Sequence, residues 1–422
     1  MSVDARFFDP IEGMPVSERG AYYDRQLRRI IAWAYRKSPA MRAKLMECGV
    51  RPADIKTVSD LPRIAVTPKE TIHQLQKDNP PFGGLVTLPI SKLARIFVSP
   101  GPIFDIEGTR RIAAEAKAFH ALGFRPGDVV MNSFSYHMTR GGWTMDEGLT
   151  TLGCVVIAAG VGNTELQVQV AHDLKVTGFA GTPSFFMILL KKAESMGFNF
   201  RRDFALKNAF LSAEPFPPSM RRVFEEEYGI NTGETYGTAE LGLLGYGCTH
   251  KAGMHIPEEI IVEIVDPKTG KQLPPGEIGE VVITSLDKVL PIIRIGTGDL
   301  SLYTDEPCPC GRTSRRLVRI AGRVGEVVKV RGQFIQPKEV AQLIASLPGI
   351  SNFQMVVSRT GHRDELTFKV ELTGKTEDQA ALCETLETKF QDVCRIKIDR
   401  VEPVPAGTIK DAKKLLDTRT WD

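Results

Sequence analysis

A chain of 422 residues exceeds what one ordinary hydrophobic core holds, so two or three folding units are expected. With 42% hydrophobic and 25% charged residues it has the composition of a globular protein, and a net charge of +3 without a dense Lys/Arg tract argues against nucleic acid as a main partner. No apolar run approaches a membrane span, residues 1–19 lack the apolar stretch of a signal peptide, and seven unevenly spread cysteines fit a reducing, cytoplasmic setting rather than a disulfide framework.

The N-terminal residues 20–48 predict a helix with a basic outer face, and Leu61-Pro62 to Lys69 a loop. Alternating units follow. Ile96-Phe97-Val98 reads as a short apolar strand, followed by a Pro/Gly loop and a helix through 110–122. Strands are expected at 128–131, 154–158, 177–180 and 209–212, separated by helices at 141–152, 164–174 and 183–196, with a further helix at 217–228. Short apolar strands alternating with helices of this length imply a parallel sheet of βαβ units. After Glu240 the pattern changes to strand-like runs at 258–265, 279–285, 289–294 and 316–320 with Pro/Gly turns, which predicts an antiparallel β subdomain over about 241–323. A second change near Gly325 predicts a small α+β domain over 324–422, with a helix at 337–347, strands at 352–358 and 365–372, a helix at 377–393 and a strand at 395–401. The fold class is therefore α/β: a large domain, 1–323, followed by a smaller α+β domain.

The run Tyr236-Gly237-Thr238-Ala239-Glu240 concentrates chemistry. It places an aromatic ring, a glycine, a hydroxyl and a carboxylate within five residues. These groups suit stacking on a purine, close approach of backbone to a phosphate, and a hard oxygen ligand for Mg2+.

Further segments keep register with this run on both sides. They are Leu61-Pro62 with Lys69, Gly181-Thr182-Pro183-Ser184, Ser212-Ala213-Glu214-Pro215, Gly253-Met254-His255 and Gly276-Glu277-Ile278-Gly279-Glu280. Beyond these come Ile293-Arg294 with Gly298-Asp299-Leu300, Cys308-Pro309-Cys310-Gly311-Arg312, and Gly322-Arg323 with Arg331-Gly332. Together, from about residue 60 to the C-terminus, the chain resembles the phenylacetate–CoA ligase branch of the adenylate-forming enzymes.

The resemblance implies an adenylate-forming fold whose small C-terminal domain acts as a mobile lid. It also implies two half-reactions on a small carboxylic acid, with ATP and CoA as co-substrates: an acyl-adenylate forms with loss of pyrophosphate, and a CoA thioester follows with loss of AMP. Ser212, Ala213, Glu214 and Pro215 would wall the adenine, Tyr236 would stack on it, and Gly237 would let backbone approach. Thr238 would bind the α-phosphate and Glu240 would hold Mg2+. Asp299 would accept from the ribose hydroxyls, and Arg312 or Arg323 would neutralise phosphate charge. Lys329, Arg331 and Gly332 would line the CoA path. Phe134, Tyr136 and His137, with Trp143, would form the acyl pocket and favour an aryl or arylacetic acid. Such relatives often pair as homodimers. Other readings keep adenylation with a non-CoA acceptor, or keep only nucleotide or acyl binding.

Cys248, His255, Cys308 and Cys310 offer three thiols and an imidazole, the donor set of a closed structural Zn2+ site. His250 is the alternative fourth ligand. Two segments depart from the family. The phosphate loop reads Val98-Ser99-Pro100-Gly101-Pro102-Ile103-Phe104, where two prolines remove two N–H donors. The C-terminal lysine that would reach the α-phosphate is Lys410, with Lys413 as the alternative.

Overall fold

The computed structural model describes residues 6–99, 103–108, 113–324, 328–331, 333–335, 337–361, 363–373, 379–410 and 413–419. The chain forms two compact units, one of Met1–Phe216 with Arg221–Gly322, the other of Arg323–Asp422 with Pro217–Met220.

The first unit opens with α1 (Val16–Lys37), α2 (Pro39–Glu47) and α3 (Glu70–Asp78). The single helix expected over 20–48 is two. Ser38 leaves the helical region, its hydroxyl accepts from Met41 N at 3.3 Å, and Pro39 starts α2 with a φ already suited to a helix. Leu27, Ile31, Ala34 and Leu45 pack with Ile293 and Ile295 from much later in the chain. The 61–69 segment is largely a tight turn, but it ends in β1 (Thr67–Pro68), which pairs with Ile295 and Gly296.

The run at 96–98 is not a strand of a parallel sheet. It belongs to β2 (Arg95–Ser99), which forms an antiparallel hairpin with β3 (Ile103–Glu107). Runs separated by only three residues can pair antiparallel but have no room for a crossover. The parallel sheet begins after α4 (Ala113–Ala121). Its elements are β4 (Val129–Asn132), α5 (Arg140–Leu152), β5 (Val155–Ala158), α6 (Thr164–Asp173), β6 (Gly178–Gly181) and α7 (Pro183–Ser195). Then come the single turn α8 (Phe200–Asp203), β7 (Asn208–Leu211), α9 (Pro218–Arg222) and β8 (Asn231–Thr238). The strands lie in the order β8-β7-β6-β4-β5, all parallel. β6 is buried along its whole length, as expected of a strand covered on both faces. Leu122, just past the end of α4, packs so closely on β8 that a Cβ on Gly233 would lie 1.8 Å from its Cδ2.

The expected β subdomain is a continuation of the same sheet. β9 (Gly242–Tyr246) folds back antiparallel on β8, and β10 (Met254–His255), β11 (Ile260–Val265), β12 (Gly279–Ser285), β13 (Ile295–Thr304) and β14 (Arg316–Arg323) extend it; with β1 paired to β13 the sheet has twelve strands among the described residues. The strand expected at 289–294 starts instead at Ile295. Arg294 sits at φ 47 and is buried on Glu263 at 2.9 Å, which bends the backbone just before the strand.

The second unit contains a hairpin of β15 (Val328–Val330) and β16 (Gln333–Ile335), then α10 (Pro337–Ala345), β17 (Ile350–Thr360), β18 (Arg363–Leu372), α11 (Gln379–Cys394), β19 (Arg400–Val404) and β20 (Leu415–Asp417). Its main sheet has the order β19-β18-β17-β20. β17 and β18 alternate buried and open positions, and Met355, Val357, Leu366 and Phe368 meet Leu386 and Phe390 of α11 in a core of their own. The strand expected at 395–401 lies a few residues later, as β19. Among the described residues no helix is long and apolar enough to cross a membrane.

Candidate active site

The Tyr236–Glu240 run straddles the point where β8 ends and the chain turns back into β9. Gly237 is required there, because a Cβ would sit 2.6 Å from the Gly242 carbonyl oxygen across the bulged pair. Thr238 Oγ1 accepts from Leu241 N at 3.3 Å and so closes the turn. Tyr236 is buried in a cluster with Leu244, Met254 and Ile256, and its hydroxyl donates to Asp299 Oδ2 at 2.8 Å. The ring therefore offers little open face, and Asp299, also buried, has one carboxylate oxygen engaged by it.

Ser212, Ala213, Glu214 and Pro215 leave the carboxyl end of β7, the edge at which parallel sheets hold ligands. Ser212 Oγ donates to Thr235 O at 3.3 Å, so the turn is tied to β8. Ala213 has φ 71, a left-handed conformation that costs an alanine about 1–2 kcal/mol. Such strain concentrates at functional sites. Glu214 accepts from Ser184 N at 3.2 Å in the first turn of α7, where the helix dipole favours a carboxylate.

Three segments converge beside this edge. Val98 N donates to Met138 O at 2.7 Å, which sets the β2–β3 hairpin against the loop before α5. Arg140, the first residue of α5, reaches Ala239 O at 3.5 Å and Thr144 Oγ1 at 3.2 Å. Asp105 of β3 accepts from the Ser99 hydroxyl and, with Glu240, borders a small cavity lined by Ile72, Phe104 and Leu290. Burial pushes the Asp105 carboxyl up to about 6, with Glu240 adding to the rise. Below them Glu115 of α4 is fully buried and its carboxyl is pushed up to about 7 by burial, the Arg140 charge opposing. Pro100, Gly101 and Pro102 lie outside the described residues. None of Asp105, Glu115 and Arg140 was singled out from sequence, although Arg140 follows the His137 loop by three residues.

Of the acyl-pocket residues, Phe134 is half-buried against the α4 core. Tyr136 accepts from Asn132 Nδ2 at 2.8 Å and donates to Asp146 at 3.0 Å; burial pushes its phenol well above the usual value. Trp143 packs edge-on to Tyr136 with centroids 5.4 Å apart, and Arg95 lies over the indole at 4.9 Å. His137 is exposed.

The profile of the AMP-binding enzymes matches residues 108–287, and that of the AMP-binding enzyme C-terminal domain matches 332–419. The phenylacetate-coenzyme A ligase of Thermus thermophilus is 32% identical over 86% of this chain and 83% of its own length. That of Escherichia coli is 30% identical over 95% and 94%. The chain belongs to the phenylacetate–CoA ligase branch of the adenylate-forming enzymes. Among solved structures, 2-hydroxyisobutyryl-CoA ligase in complex with 2-HIB-AMP and CoA superposes with a TM-score of 0.92 at 29% identity, covering 99% of this chain and 94% of that one. The adenylate-forming fold is thereby established for this family member.

In this adenylate-forming chain Arg312, one of the two arginines expected to neutralise phosphate charge, is already paired. Its guanidinium is buried against Glu12 and hydrogen-bonds the Arg6 carbonyl, so residues 6–19 clamp the Cys308–Arg312 knuckle. Beside it the four expected metal ligands converge, with donor atoms all within 4.8 Å of one another. Cys248 Sγ and Cys308 Sγ are 3.7 Å apart, and Cys310 Sγ lies 3.3 Å from His255 Nε2. Those separations are close to the edges of a tetrahedron built with Zn–S and Zn–N bonds of about 2.3 and 2.0 Å. Ser314 Oγ is 3.3 Å from His255 Nδ1, which suits an outer partner holding Nε2 toward a metal.

Arg323 closes β14, and Lys329 lies on β15. Arg331 is held by Asp399 through both guanidinium nitrogens, at 2.9 and 3.2 Å, so the CoA role expected of it competes with a bidentate ion pair. Gly332 lies outside the described residues. Lys410 is exposed at the end of a loop anchored by Glu371, whose carboxylate accepts from Ile409 N at 2.6 Å and is held below the usual range by that and neighbouring N–H groups. Lys413 is exposed, and Lys414 is engaged by Asn352.

Proposed function

We propose that this AMP-forming acid–CoA ligase acts on an aryl or arylacetic acid. In the first half-reaction a carboxylate oxygen of the acid bonds to the α-phosphorus of ATP. The bond to the β-phosphate bridge breaks, and pyrophosphate leaves with the electron pair. In the second, the CoA thiolate attacks the acyl carbon, the C–O bond to AMP breaks, and AMP leaves.

The chain's part is binding, orientation and charge neutralisation. Ser212 to Pro215 and Tyr236 border the adenine, Asp299 takes the ribose, and Thr238 presents its hydroxyl hydrogen to the α-phosphate while its oxygen still accepts from Leu241. Glu240, with Asp105 beside it, is the hard carboxylate that would hold Mg2+, which when bound shields the phosphate charge. Lys410 is the C-terminal cation of the adenylation step, Arg323 neutralises phosphate charge, and Lys329 borders the CoA path. Phe134, Tyr136, His137 and Trp143 form the acyl wall. Cys248, His255, Cys308 and Cys310 fit Zn2+ as a structural staple, since four protein donors leave no open position for chemistry.

The observation that carries this reading is the convergence of the phosphate hairpin, the acyl loop and the Tyr236–Glu240 turn at the carboxyl edge of the sheet, in a chain of this branch. The test is pyrophosphate release from Mg–ATP with benzoic, phenylacetic and aliphatic acids, with and without CoA. Aryl-dependent release with thioester formation is the expected result. Release only with small aliphatic acids would overturn the aryl assignment, and release without thioester would move the acceptor away from CoA.

A further inference from the structure

We propose that Arg140 holds the α-phosphate of the nucleotide and supplies the positive charge that this chain's phosphate loop lacks. The inference rests on the ligase reading and deepens it at one residue. Between Val98 and Phe104 the sequence has no lysine, arginine or threonine and loses two N–H donors to Pro100 and Pro102. A nucleotide phosphate bound at the Thr238 turn then needs its cationic compensation from another segment.

Arg140 is placed to give it. The backbone bond from Val98 to Met138 brings the loop before α5 alongside the hairpin, and the Arg140 guanidinium reaches across to Ala239 O, between Thr238 and Glu240. Thr144 Oγ1 takes the Nε hydrogen at 3.2 Å and steadies the plane. Most other buried or half-buried arginines of this unit sit on carboxylates: Arg95 on Glu107 at 2.7 Å, Arg294 on Glu263 at 2.9 Å, Arg19 on Glu258 at 3.0 Å, Arg221 on Glu234 at 2.9 Å and Arg312 on Glu12, while buried Arg316 spends its guanidinium on the Ala252 and Glu306 carbonyls away from this edge. Among the described residues no carboxylate closes an ion pair with Arg140; Asp105 and Glu115 feel its charge only at longer range.

Helix stability does not account for an arginine here either. Arg140 opens α5, where the dipole disfavours a cation, and Thr139 provides no side-chain cap. A guanidinium kept unpaired beside a phosphate-binding turn, at a position costly to the helix, is poised for an anion.

The test compares wild type, Arg140→Gln and Arg140→Lys by calorimetric titration with adenosine and with AMP. Loss of a charge-assisted contact should weaken AMP binding by about 10- to 100-fold in Arg140→Gln. Adenosine binding should stay within about twofold and Arg140→Lys should recover most of the AMP affinity, since the adenosine contacts are untouched and the charge is restored. Equal weakening of AMP and adenosine would reveal a structural role and overturn the proposal, as would unchanged AMP binding. A wild type that binds neither nucleotide would overturn the ligase reading itself, a failure distinct from that of Arg140.

Discussion

Tyr236 and Asp299, 63 residues apart in the chain, are joined by a hydrogen bond of 2.8 Å from the phenol to Oδ2. The bond crosses from β8 to β13, so the aromatic and the acid expected at opposite sides of a nucleoside are one unit. In the proposed site, the orientation of the Asp299 carboxylate toward a ribose then depends on the tyrosine hydroxyl.

Tyr236→Phe should keep the ring and lose the orientation. AMP affinity is expected to fall roughly tenfold, and unfolding free energy by about 1–3 kcal/mol, because buried Asp299 loses one donor. Titration calorimetry and urea unfolding read the two effects. An unchanged affinity would separate Asp299 from the nucleotide.

Glu240→Gln removes a charge but little volume. If this side chain holds Mg2+, acid-dependent pyrophosphate release should drop by about 100-fold, with partial recovery at high Mg2+. A rate insensitive to the substitution at every Mg2+ concentration would take the metal away from Glu240.

The Cys/His cluster should carry one zinc per chain, measured by atomic emission on protein purified without added metal. Cys308→Ser with Cys310→Ser should lose the metal and lower the melting temperature by roughly 5–10 °C, since binding energy at a closed site is folding energy. A double variant that melts like wild type would leave the cluster without a staple role.

Glu115 makes stability depend on pH. Its folded pKa of about 7 stands above the ordinary 4.5, so between those values the folded state binds more protons than the unfolded one. Stability therefore falls as pH rises through that window, by up to roughly 3 kcal/mol for this group. Glu115→Gln should flatten that part of the curve when urea midpoints are compared at pH 5 and 7.5. An equally steep fall in the variant would assign the dependence to other carboxyls, such as Asp105.

Local pattern carries part of this protein on its face. The βαβ alternation from Val129 to Leu211 is legible because each strand is a short apolar run and each helix a periodic one, both encoded by neighbours in the chain. The spacing of Cys308 and Cys310, and the composition of the Tyr236–Glu240 run, are equally local. Other features are decided by partners far away. The run at 96–98 pairs in a hairpin, and the strand expected at 289–294 begins at Ile295, where buried Arg294 finds Glu263 on β11, one strand beyond β12. Arg312 reads as a phosphate ligand until Glu12, 300 residues earlier, neutralises it. Arg140 gives no signal in one dimension, since whether a guanidinium is paired depends on which carboxylates folding brings within reach. Residue type and periodicity thus determine which elements form and which chemistry is on offer. Which of those groups are left facing a ligand depends on burial and long-range pairing, whose energies exist only once the chain has closed on itself.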